Sequence, residues 1–184
     1  MDHLAAPALE AGLDDIRMAP SDHGRVELLV RRPAENEREI LDEATLDPAE
    51  GLVGDTWLVR GSGPTPDDRP PLETQVTIMN ARVATLVAAD ADRRCLAGDQ
   101  LYLDLDISHG NLPAGSRLQL GTAVIELSGK PHTGCNKFAA RFGRDAVLFV
   151  NSPEGRELRL RGANARVVVA GIVRAGDVVR KVPG

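Results

Sequence analysis

From Leu96 to the C-terminus the chain is a series of short apolar runs cut by glycine and proline. The runs are "QLYLDLDI", "SRLQLG", "AVIELSG", "ARVVVAG" and "DVVRKV", and the breaks between them include "LPAG", "LGT" and "RAGD". Runs this short, β-branched and closed by turn formers, read as strands joined by tight connections. They predict a mostly β fold, an antiparallel β-barrel or sandwich with a few short helices, and argue against a doubly wound sheet. Upstream, "RVELLVRRP" from Arg25 reads as a buried strand closed by Pro33, and "LETQVTIMN" as another. "NARVATLVAA" then suits a helix with Asn80 as its N-cap. The charges of "ENEREILDEATLDPAEGLVGDTW" fit either a short helix or a strand and turn ending at Pro48. "GSGPTPDDRPP", Gly61 to Pro71, reads as a long functional or mobile loop. Residues 1–23 read as a flexible tail or a short loose helix, and 24–184 as a single domain.

Aromatic residues are only 3% of the chain, so its core must be built from Val, Leu, Ile and Ala. The same scarcity leaves little to stack on single-stranded bases. A net charge of −5 argues against a nucleic-acid backbone as partner. No apolar run approaches the ~20 residues that span a bilayer, so no membrane partner is expected. The acid-containing start "MDHLAAPALEAGLDDIRMAP" does not resemble a signal peptide. Two cysteines make no disulfide framework, and a cytoplasmic protein with free thiols is the expectation.

One of those thiols stands out. In "GKPHTGCNKFAARFG", Cys135 falls where a loop becomes a helix. If Thr133 caps that helix, the sulfur lies among unpaired backbone N–H groups at the positive end of the macrodipole, which favours thiolate over thiol. Lys137 and His132 would add positive charge, and a thiolate can attack, carry sulfur or bind a soft metal. The alternative is packing. Cys135, Phe138, Ala139 and Phe142 share one helical face, and buried free cysteines are commonly inert. Gly134 permits a close approach to the backbone beside the sulfur. His132 and Cys135 alone fall short of a closed zinc site. Cys95, in "RRCLAGD", has nothing reactive around it and reads as structural.

The stretch from "LAGDQLYLDLDISHGNLPAG" through "GKPHTGCNKFAARFGRDAVLFVNSPEGRELRLRGANARVVVAG" to "AGDVV" resembles the MOSC domain, named for the C-terminal domain of molybdenum-cofactor sulfurases. "GLVGDTW" and "TQVTIMN" resemble the family's earlier segments, so the likeness covers roughly residues 25–182. The resemblance implies a barrel-like fold and a cysteine at position 135 that ligates molybdenum in a pterin cofactor or handles sulfur. With it, Cys135 and His132 become catalytic candidates, and Cys135 the metal ligand. Because the pterin carries a phosphate, the candidate cofactor-binding residues are Lys137, Arg141, Arg156, Arg159 and Arg161. Asn151 and Ser152 in the "NSPEGR" turn join them, although both could be plain turn formers. Asp55 and Trp57 of "GLVGDTW" complete the set, with Trp57 as a pocket wall. Arg159 and Arg161 would share a face if "ELRLR" is a strand. The resemblance further implies a molybdenum-dependent oxidoreductase or a sulfur carrier. The pyridoxal-phosphate domain of the sulfurases has no counterpart here, so a partner protein would supply electrons or sulfur. A small-anion binding module without turnover and a thiol redox sensor are the alternatives.

Overall fold

The computed structural model describes residues 3–60 and 70–184. Eleven strands are described: β1 (Gly24–Arg31), β2 (Glu39–Leu41), β3 (Glu43–Asp47), β4 (Gly51–Leu52), β5 (Val76–Asn80), β6 (Leu101–Asp104), β7 (Arg117–Leu120), β8 (Ala123–Leu127), β9 (Ala163–Val169), β10 (Gly171–Arg174) and β11 (Val178–Val182). Seven of them close into a barrel in the order β1–β11–β7–β8–β9–β5–β6 and back to β1. β2 extends the sheet beyond β1, while β10, β3 and β4 form a small second sheet. The ambiguous acidic segment is therefore strand and turn, with β3 alternating exposed and buried residues and ending just before Pro48.

The barrel is antiparallel except at one seam. β5 and β6 run parallel, with Ile78 opposite Leu101 and Asn80 opposite Leu103. The chain between them makes the crossover that a parallel pair requires. It contains helix α4 (Ala81–Ala88), which follows α1 (Ala6–Ala11), α2 (Leu13–Arg17) and α3 (Trp57–Arg60) in the chain, and a 3-10 turn, Ala91–Ala97. Asn80 starts α4 as its sequence context predicts, its Oδ1 accepting from the Arg82 N–H at 2.8 Å. Its amide nitrogen donates to the Leu105 carbonyl, which ties the cap to the strand end.

Two cores share the barrel wall. Val26, Ile78, Leu103, Leu118, Ile125 and Val179 fill the interior, each fully buried. The outer face of β1, β5 and β6 offers Val30, Met79 and Tyr102 to the helices. This is why every residue of β5 is buried: Ile78 points in and Met79 points out beneath helices. Covering that face are α4 together with α5 (Asn136–Phe142) and α6 (Arg144–Asn151). All three phenylalanines of the chain, Phe138, Phe142 and Phe149, lie on α5 and α6 and are buried there. Phe138 and Phe142 touch with ring centroids 4.9 Å apart.

The N-terminal segment, read above as a flexible tail, carries two short helices, Ala6–Ala11 and Leu13–Arg17. Leu9 is fully buried in the outer core and Ile16 nearly so. Each such side chain contributes about 1.5–3 kcal/mol of burial, enough to hold a short amphipathic segment down. "ELRLR" is not a strand. The helix Pro153–Glu157 runs into a turn in which Arg159 adopts φ +50°, so alternation does not govern where its arginines point. The loop expected at Gly61–Pro71 lies outside the described residues except for its last two prolines.

Candidate functional site

Cys135 is exposed, which decides between packing and access. The helical wheel fails because α5 begins one residue later. Cys135 is itself the N-cap, at φ −122° and ψ 178°, so its side chain leaves the apolar face that buries Phe138 and Phe142. Thr133 makes no cap, and the sulfur accepts no capping hydrogen bond from α5.

The lead-in to the cysteine is clamped from behind. Asn151, at the end of α6, accepts the Gly134 N–H at 2.9 Å and donates to the Gly134 carbonyl at 3.0 Å. A Cβ on residue 134 would come within 3.0 Å of Val150 and 3.2 Å of the Asn151 amide. The close approach that Gly134 permits is thus to Asn151, and Asn151 positions the cysteine loop. Ser152 caps the helix Pro153–Glu157 by accepting from the Gly155 N–H. Neither residue lines the cleft described next.

Cys135 stands on the rim of a cleft of about 500 Å³. Arg32, Arg38, Lys130, Lys137, Arg141 and Arg161 contribute to its wall, with Glu35 as the acidic member among the described residues. Trp57, Thr77, His132, Phe138 and Asn164 contribute as well. Of the residues proposed from sequence, the fold brings Cys135, His132, Lys137, Arg141, Arg161 and Trp57 together. Asp55 lies behind the wall, and Arg156 and Arg159 open onto a neighbouring cavity.

Three of the cations have carboxylate partners. Arg32 is buried against Asp55, whose oxygens accept at 2.7 and 2.8 Å, and a further Arg32 N–H reaches the Gly98 carbonyl. Asp55 also accepts the Trp57 N–H, so one carboxylate fixes an arginine and the pocket-wall tryptophan. Arg161 pairs with the fully buried Asp99 at 2.6 Å and lies over the Phe138 ring. Lys137 reaches Glu35 at 3.0 Å on the exposed rim. Arg38, Arg141 and Lys130 form no ion pair with a described residue.

Arg38 and Arg141 flank Gly98, which has φ +96° in the region favouring glycine; a Cβ there would sit 3.5 Å from the Arg141 guanidinium and 3.7 Å from that of Arg38. Burial, and then repulsion from Arg141 and Arg32, hold Arg38 below its ordinary value. Arg32, Arg38 and Lys130 escaped sequence reading. Arg32 and Arg38 come from segments about a hundred positions before Cys135, and Lys130, in the same loop as the cysteine, carries no pattern that separates it from a solvated lysine.

His132 does not supply the positive charge expected of it. Burial, with the charges of Arg161 and Arg32, pushes its imidazole well below the usual histidine range, leaving it neutral near pH 7. Its Nδ1 sits 3.5 Å from Asp99. An ionised aspartate at that distance pulls the other way, but Asp99 is already bound to Arg161, and the downward direction prevails. Burial raises Asp99, while Arg161 and Arg32 oppose that rise. Four buried polar atoms lack a hydrogen-bond partner among the described residues: Arg38 Nε, Asp99 Oδ1, His132 Nδ1 and Arg161 Nε. All belong to the cleft wall or to the aspartate directly behind it. Unsatisfied buried groups are uncommon, and these four gather around one cleft.

Cys95 is buried, bonded through sulfur to the Asp92 carbonyl at 3.6 Å, and raised by that burial. Both cysteines are free thiols. No group of three or more His, Cys, Asp or Glu side chains among the described residues could hold a metal ion. No helix among them is long and apolar enough to cross a membrane.

No family model matches the chain, and no curated protein does. Solved structures do. YuaD from Bacillus subtilis is 17% identical over 85% of this chain and 93% of its own, with a TM-score of 0.60. YiiM from Escherichia coli is 19% identical, covering 87% and 70% with a TM-score of 0.55. YiiM from Geobacillus stearothermophilus is 12% identical, covering 89% and 74% with a TM-score of 0.52. At these identities the likeness is one of fold, and it spans most of both chains.

Proposed function

We propose that this is a MOSC-type protein whose cleft receives an anionic pterin cofactor and presents it to the Cys135 thiol. The observation that carries this reading is an exposed thiol on the rim of a cleft with three cations, Arg38, Arg141 and Lys130, that form no ion pair with a described residue. Donors without counter-charges suit a phosphate, and guanidinium forks suit it best. The absence of a metal-holding cluster among the described residues fits a guest that arrives with its metal already held and takes one thiolate from the protein. In this reading Cys135 is the molybdenum ligand, these three cations hold the phosphate, and Trp57 with Phe138 wall the ring system. A molybdenum-pterin group supplies redox chemistry when bound. His132, neutral and beside the cleft, would accept a hydrogen bond from a protic group of the guest. A partner protein would deliver electrons.

The same thiol would serve a sulfur carrier, as a persulfide. One experiment addresses both forms: metal, pterin and cyanide-labile sulfur analysis of protein purified from a molybdenum-replete host, alongside Cys135→Ser. Molybdenum and pterin near stoichiometry, lost in the variant, support the cofactor form. Labile sulfur without molybdenum supports the carrier form. Wild-type protein with none of the three refutes the proposal.

A further inference from the structure

Beside the cleft lies a smaller cavity of about 220 Å³, which shares Lys130, His132 and Arg161 with it. Its other basic or imidazole side chains are His109, Arg156 and Arg159, and no acidic side chain lines it among the described residues. Arg159 is only 7% exposed, and its Nη1 donates to the Ile107 and Leu112 carbonyls at 3.2 and 2.6 Å. The guanidinium is thereby fixed in place, yet no described carboxylate forms an ion pair with it. Arg161 is equally buried. Its two terminal nitrogens reach Asp99 and the Ala97 carbonyl, while its Nε is enclosed and lacks an acceptor. Arg156 completes the ring from the exposed side, with its Nε held by the Asn151 carbonyl.

Donors therefore line this cavity in held positions, and no described residue of its wall answers them with negative charge. The space is on the order of seven water molecules at about 30 Å³ each, which suits an ion of a few heavy atoms and not a pterin. We propose that this cavity is a binding site for a small tetrahedral oxyanion of the phosphate–sulfate class, separate from the guest of the main cleft. The site shares Lys130, His132 and Arg161 with the cleft, but Arg156 and Arg159 belong to it alone, so it can be tested apart from the cofactor reading.

The test titrates inorganic phosphate into the full chain at constant ionic strength, followed by calorimetry and phosphorus NMR. Wild type should bind phosphate saturably, and Arg144→Ala, which removes an exposed arginine outside both the cleft and the cavity, should bind it with an affinity within twofold of wild type. Arg156→Ala, whose exposed side chain can be removed without disturbing the core, should weaken binding at least tenfold, and Arg156→Lys should recover part of the loss. Arg159→Met should abolish binding, but its buried guanidinium also supports two carbonyls, so Arg156 carries the decision. Absence of saturable binding overturns the site, as does binding kept in Arg156→Ala or weakened as much in Arg144→Ala.

Discussion

Replacing Asp99 by Asn tests the electrostatic design of the site more sharply than any change at its surface. The carboxylate is fully buried, holds Arg161 at 2.6 Å, and faces His132 Nδ1 at 3.5 Å. Removing one partner of a buried ion pair strands the other charge, at a cost of about 3–5 kcal/mol. Asparagine still offers Arg161 an oxygen, so the expected loss is near the lower end, about 3 kcal/mol. In a domain of this size roughly 2–4 °C accompanies each kcal/mol, so the melting temperature should fall by roughly 6–12 °C. Urea unfolding should show a lower midpoint with the same slope, since neither the buried surface nor the fold changes.

A second readout does not depend on stability. Arg161 only donates, so the asparagine must turn its oxygen toward it and its NH₂ toward His132. The wild-type carboxylate oxygen stands 3.5 Å from Nδ1 without a hydrogen bond, and its charge still favours a proton there, whereas an amide NH₂ favours the opposite tautomer. Nitrogen-15 NMR of the His132 ring should therefore show the proton moving from Nδ1 to Nε2. Exchanging both partners for apolar residues, Asp99→Leu with Arg161→Met, should recover most of the lost stability. A loss below about 1 kcal/mol in Asp99→Asn, with the ring tautomer unchanged, would refute the argument that Asp99 organises both neighbours.

The clamp behind the cysteine predicts that Asn151→Ala, which removes both hydrogen bonds to Gly134, costs about 1–3 kcal/mol. It should also broaden the amide resonances of residues 132–135, and an unchanged spectrum would exclude Asn151 as their support. The depressed His132 predicts acid sensitivity of defined sign. The unfolded chain gains a proton near pH 6.5 that the folded one refuses, so this contribution is complete above that pH. It is lost on acidification at up to about 1.4 kcal/mol per unit, until the pH reaches the folded value. Urea unfolding from pH 5 to 8 should show this slope in the wild type and lose it in His132→Gln; parallel curves would sink the assignment.

The barrel was legible because its evidence is local. Alternation and turn residues in "SRLQLG" and "AVIELSG" specify β7 and β8 within a few positions, and Asn80 caps a helix whose first N–H is two residues away. The parallel seam between β5 and β6 was not legible, since direction depends on how the intervening chain crosses over. Within the site, Cys135 was found by its surroundings, but its exposure turns on a single residue of helix start that a helical wheel cannot resolve. Asp55 and Trp57 drew notice as part of "GLVGDTW", and only the fold reveals that Asp55 acts through Arg32, 23 positions earlier. Asn151 and Ser152 read equally as ligands or turn formers, and hydrogen bonding assigns them to support.

The cations of the cleft divide into two kinds with different physical roles. Arg32 and Arg161 are neutralised from behind by Asp55 and Asp99, so they contribute direction and shape with little net field. Arg38 and Arg141 flank one glycine and pair with no carboxylate among the described residues, and Arg38 is held below its ordinary value by burial and partly by that crowding. An anion placed between these two guanidiniums would gain its own attraction and also relieve their mutual repulsion, so its binding would raise the stability of the whole domain. Linkage sets the size of that effect, about 2.7 kcal/mol at a hundredfold excess over the dissociation constant. Removing Arg141 would weaken the anion's hold while easing the strain on Arg38. The free domain should then tolerate Arg141→Ala better than the bound one does, an asymmetry that a merely structural arginine would not produce.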